Sequence, residues 1–113
     1  MDNKTKDARR FVIVVTETGE MYTHDAGDSV LAAAQVLCGG GVTTVPCIDK
    51  RFVVVYGHEG KHNPYGSVLA KEYVTGAAVV ACGPAARLRG FSKFVAKDTI
   101  KYLRGVVRRD YHV

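Results

Sequence analysis

The longest apolar runs in this chain are strand length, and that limit decides most of what it can fold into. Arg10–Thr16 reads RFVIVVT, Phe52–Tyr56 reads FVVVY, and Val74–Cys82 is apolar apart from Thr75 and Gly76. β-Branched side chains at this density favour extended backbone, and none of the runs approaches the roughly 20 residues a bilayer-crossing helix requires. The chain is therefore expected to bury its strands in one sheet and to have no membrane partner. With 113 residues, of which 47% are hydrophobic and 24% charged, it has the composition of one ordinary globular core.

Turn residues Glu17, Thr18, Gly19 and Glu20 separate the first run from Met21–Thr23, so the opening reads as a β-hairpin. Asp28 then offers an N-cap. Behind it Val30, Leu31, Ala34, Leu37 and Cys38 share one helical face, and three glycines follow, which predicts a helix over Ser29–Cys38 stopped by Gly39. Strands are expected at Val42–Ile48, where Pro46 marks an edge or a bulge, and at Phe52–Tyr56. Gly57–Gly66 reads as a loop, Ser67–Tyr73 as a short helix, and Val74–Cys82 as a strand buried on both faces. Phe91–Val95 is assigned to a further strand, and Asp98 to the N-cap of a last amphipathic helix carrying Ile100, Leu103, Val106 and Val107 inward.

The fold class that results is α+β. A small mixed or antiparallel sheet carries one central helix and a C-terminal helix packed on it, in the order β-β-α-β-β-loop-β-β-α over residues 10–113. The polar segment 1–9 lacks the apolar stretch of a secretory signal and is expected to be a disordered tail. Cys38, Cys47 and Cys82 are odd in number, widely spaced and each set among apolar neighbours, which fits inert core thiols of a reduced cytosol.

His58-Glu59-Gly60-Lys61-His62 matches the H-E-x-x-H pattern of zinc peptidases letter for letter. That chemistry needs both imidazoles on one helical face, one turn apart, with the glutamate activating a metal-bound water. Gly57, Gly60 and Pro64 break such a helix, and no third ligand follows at the required spacing; only the remote His112 remains. No metal, no cofactor and no catalysis are expected. Gly39-Gly40-Gly41 follows a helix, whereas phosphates are held by amides at the start of one, so it reads as a helix stop.

The net charge is +5, and its distribution is lopsided. Arg87, Arg89, Lys93, Lys97, Lys101, Arg104, Arg108 and Arg109 face only Asp98 and Asp110 in the final third. A solvated helix face is one reading of this series. Contact with an anion is the other, either a phosphorylated small molecule or a nucleic-acid backbone, although no recognised nucleic-acid-binding motif is visible.

Three pieces of the sequence then fall into an order that resembles a known family. Gln35-Val36-Leu37-Cys38-Gly39-Gly40, Val42-Thr43-Thr44-Val45-Pro46, and Tyr56-Gly57-His58-Glu59-Gly60-Lys61 with Asn63-Pro64 are similar to L-Q-x-L-V-G-G, I-E-x-V-P and N-E-E-G-K patterns. These belong to a family of small bacteriophage and mobile-element proteins whose domain has no assigned function. Thr43 departs from the family's glutamate and Gly57 from its asparagine. The resemblance implies a non-catalytic accessory protein of the bacterial host's cytoplasm that blunts host defences.

Combined with the residues, it gives the leading expectation: capture of an anionic, nucleotide-like signal by His58, Lys61, His62 and Asn63 of the glycine loop together with Arg87, Arg89 and Lys93. Nucleic-acid association through the basic final third and inhibition of a host protein are the alternatives. A homo-oligomer is also among the expected partners, since small domains often build pockets between subunits.

Overall fold

Eight elements follow one another in the structure, a computed structural model that describes residues 10–110. They are β1 (Phe11–Val15), β2 (Met21–Asp25), α1 (Val30–Cys38), β3 (Thr43–Pro46), β4 (Phe52–Tyr56), α2 (Pro64–Ala70), β5 (Ala78–Cys82) and α3 (Lys93–Asp110). The five strands form one sheet in the order β2-β1-β5-β4-β3, and every neighbouring pair is antiparallel. The fold is α+β. Both the expected tail at 1–9 and His112 lie outside the described residues.

Helices cover the two faces of the sheet unequally. Ile13, Val15, Val54, Tyr56, Ala78 and Val80 point to one side, where α2 and α3 add Leu69, Ile100, Leu103, Val106 and Val107. Val12, Val53, Val55, Val79 and Ala81 point to the other, where α1 contributes Ala34 and Cys38. Strands sandwiched in this way bury both alternating sets of side chains, which is why β1, β4 and β5 read as unbroken apolar runs.

Several expected boundaries move, each for a local reason. Helix α1 is capped by Ser29, whose hydroxyl accepts from the Ala32 N–H across 3.1 Å, rather than by Asp28. Its stop is as expected: Gly39 takes a left-handed φ of 88°. Helix α2 begins at Pro64, three residues before the expected start, because Asn63 caps it and proline at the first position loses no hydrogen bond there.

β3 is shorter than the expected Val42–Ile48. The strand expected over Val74–Cys82 starts only at Ala78, after Gly76 turns the backbone at φ 71°.

Phe91–Val95 is not a strand. Phe91 makes a single bridge to Phe11, and α3 starts immediately afterwards, with the Ser92 hydroxyl accepting from the Val95 N–H across 3.2 Å. The expected cap Asp98 therefore lies inside an 18-residue helix. Cys38 and Cys47 are buried as expected, while Cys82 is half-exposed.

Among the described residues no helix is long and apolar enough to cross a membrane.

Candidate functional site

β4 and β5 pair antiparallel, Tyr56 opposite Ala78 and Phe52 opposite Cys82, and this register sorts the functional candidates. Whatever follows Tyr56 lies at one end of the sheet; whatever follows Cys82 lies at the other. Four residue steps of strand, about 13 Å, separate the two ends.

At the first end, the loop from Gly57 to Asn63 is irregular but tightly held. A β-carbon on Gly57 would stand 2.3 Å from the Cys38 carbonyl oxygen, and one on Gly76 would stand 2.5 Å from that of Glu59. Asn63 is fully buried: its Nδ2 donates to the carbonyls of Val15 and Gly76 across 3.0 and 2.8 Å, and its Oδ1 accepts from the Gly66 N–H across 2.9 Å. Every polar atom of that side chain is engaged inside the fold, so Asn63 is an anchor and has nothing to offer a ligand.

The two loop histidines have separate neighbours. His58 Nε2 is 3.0 Å from Thr43 Oγ1, whereas His62 stacks on Tyr73 with centroids 4.6 Å apart and planes 3° from parallel. Lys61 is exposed, with its backbone N–H donating to Glu17 Oε2 across 3.1 Å. Among the described residues no three His, Cys, Asp or Glu side chains converge to hold a metal.

At the second end a cleft of about 680 Å³ opens beside the start of β4 and the end of β5. Pro46, Phe52, Val53 and Pro84 give it an apolar floor, and Lys50, Arg51 and Arg89 bring three cations to its rim. The loop that carries Arg89 is clamped, since Arg89 and Cys82 exchange two backbone hydrogen bonds of 2.9 and 2.8 Å.

Arg51 is held differently from the other two. Its Nε and Nη2 donate to the Asp49 carboxylate across 3.0 and 2.8 Å, and its guanidinium carbon lies 5.1 Å from the Phe52 ring centre and 5.4 Å from that of Tyr102. The Tyr102 hydroxyl donates to the same carboxylate across 2.7 Å. Arg51 and Tyr102 together hold the Asp49 carboxyl well below the usual carboxylate range, and the carboxylate in turn pushes the Tyr102 phenol up.

The positive charge of Arg51 is thus locally matched. Lys50 and Arg89 make no salt bridge among the described residues and carry the uncommitted charge of the cleft.

Of the residues singled out from the sequence, only Arg89 lines this cleft. Arg87 and Lys93 are exposed nearby, on the Gly83–Phe91 loop and the first turn of α3, and Lys93 Nζ lies 5.9 Å from the Phe11 ring centre. His58, Lys61, His62 and Asn63 sit at the opposite end, so the expected single site does not form: antiparallel pairing of β4 with β5 keeps its halves apart. Lys50 and Arg51 were missed. The signal for them was the pairing of the two most buried runs, which sets the Asp49–Arg51 turn beside Gly83 and Pro84.

No protein-family model, no curated protein and no solved structure matches the chain.

Proposed function

We propose that this protein acts by binding rather than by catalysis, and that its ligand is a phosphate-bearing, ring-containing molecule of nucleotide size seated in the cleft between β4 and β5. The observation that carries this reading is the juxtaposition of two uncommitted cations, Lys50 and Arg89, with the apolar floor of Phe52 and Pro84. Ligand pockets commonly measure about 300–1,000 Å³ and combine apolar walls with a few placed charges, which describes this cleft. Phosphate oxygens pair with Lys50 and Arg89, and a planar ring packs on the flat surface made by Arg51 over Phe52. In the bacteriophage setting that the sequence resemblance implies, such capture would withdraw a nucleotide signal from host defence.

Isothermal titration of the full chain against linear and cyclic nucleotides and inorganic phosphate tests the reading. A nucleotide that binds the protein, and binds the Lys50→Gln/Arg89→Gln variant at least tenfold more weakly, supports it. Silence across the panel, or equal binding by the variant, overturns it.

A further inference from the structure

The structure assigns a second anion-binding surface, independent of the cleft, to the exposed side of α3. We infer that it grips the phosphate backbone of a nucleic-acid duplex without reading sequence. Lys93, Lys97, Lys101, Arg104 and Arg108 are all exposed and recur at intervals of four, four, three and four residues. On a helix turning about 100° per residue these five fall within an arc of about 80°, and they extend about 22 Å along the axis. Asp98 and Asp110 fall outside that arc, so no carboxylate of α3 interrupts it.

Two of the five touch neighbouring groups without being neutralised. Arg104 Nη2 reaches the Met21 carbonyl across 3.4 Å, and Lys93 lies over the Phe11 ring.

The chemistry of the stripe selects among anionic partners. An anionic membrane would need a continuous apolar face to insert beside the charges. α3 turns Ala96, Ile100, Leu103, Val106 and Val107 into the core and leaves only Phe94 and Val95 of its first turn and Tyr102 exposed, too little to anchor about 22 Å of helix. A single strand is gripped by aromatic platforms alternating with cations along one face; the exposed aromatics of α3, Phe94 and Tyr102, lie outside the arc of the five, and Tyr102 is tied to Asp49. What remains is a straight, rigid row of cations. Each strand of a duplex carries one phosphate for about every 3.4 Å of the duplex axis and winds round it, so a row of about 22 Å laid on the duplex meets phosphates of both strands on the side that faces it.

Fluorescence anisotropy of a labelled 20-base-pair DNA of mixed sequence, titrated with the full chain at several salt concentrations, tests the assignment. Five phosphate contacts predict that log K falls with log salt at a slope of about −4 to −5, equally for duplexes of different sequence. Lys97→Gln/Lys101→Gln is expected to reduce that slope by about 2, whereas Lys71→Asn, an exposed position outside α3 and its row of cations, leaves it unchanged. Glutamine preserves helix propensity, and circular dichroism of each variant confirms the fold. Absence of binding at low salt, a slope near zero, or an unaltered slope in the double variant overturns the inference. So does equal or tighter binding of phosphatidylserine vesicles or poly-glutamate. Nucleotide affinity in the Lys97/Lys101 variant separates this surface from the cleft, because the cleft residues are untouched.

Discussion

The Tyr102 hydroxyl donates to Asp49 Oδ2 across 2.7 Å and so ties the middle of α3 to the turn between β3 and β4, beside the cleft. Asp49 is ionised to a lower pH in the folded chain than in the unfolded one, because Arg51 and Tyr102 donate to it. A depressed carboxyl contributes stability that is present above its unfolded value, near pH 4, and is lost as pH falls through the folded one. Tyr102→Phe is expected to lower stability slightly at pH 7, since the lost bond is exposed and screened by solvent. Because the unfolded carboxyl is common to both chains, the deficit should persist at about pH 4 and shrink only well below it, as Asp49 protonates in the folded state; urea unfolding from about pH 7 down to about pH 2 measures it.

Asn63→Ala leaves the Val15 and Gly76 carbonyls and the Gly66 N–H without their partner in a fully buried place. Loss of one such group costs about 1–3 kcal/mol, and the start of α2 loses its cap as well. Asn63→Asp is expected to destabilise too, since it turns an acceptor toward two carbonyl oxygens. Thermal denaturation of both variants checks this.

Gly57→Ala forces a methyl group against the Cys38 carbonyl, backbone against backbone, whereas Gly41→Ala meets nothing within 4 Å. The first substitution should cost about 1–3 kcal/mol and the second should be nearly silent. Parallel chemical denaturation of the two variants distinguishes them.

Ser92→Ala removes the side-chain acceptor at the start of α3 and should cost about 1 kcal/mol, while Asp98→Ala, in mid-helix and exposed, should change stability by less than about 0.5 kcal/mol. Reversal of that ranking would return the cap to Asp98.

His58 and His62 sit on separate neighbours, and a metal requires convergent ligands. Chelation with EDTA is expected to leave the thermal transition unshifted, and elemental analysis of purified protein to find no stoichiometric zinc.

Strand identity was readable wherever β-branched residues ran together, because burial on both faces leaves the same unbroken signature in the sequence. Helix starts were harder. Ser29 and Asp28 are adjacent caps of similar quality, and nothing in the local sequence separates them. Asp98 made a convincing cap from its spacing, yet α3 could begin earlier at Ser92 because Phe91 was already pinned against Phe11. The site was legible in its residue types and not in its assembly: cations and a glycine loop were visible, but nothing local to either revealed that the sheet would hold them apart.

Cys38 ends α1 and turns its thiol onto the sheet, and Cys47 lies in the opposite layer with α2 and α3. Burial pushes the Cys38 thiol up to about 11 and raises that of Cys47 as well. Alkylating reagents attack the thiolate, so both sulfurs are shielded by protonation as well as by position. The molecule consequently carries two internal clocks. Labelling at Cys38 times the lifting of one layer and labelling at Cys47 times the lifting of the other, so a single mass-spectrometric time course reports whether the two sides of the sheet open together or one after the other.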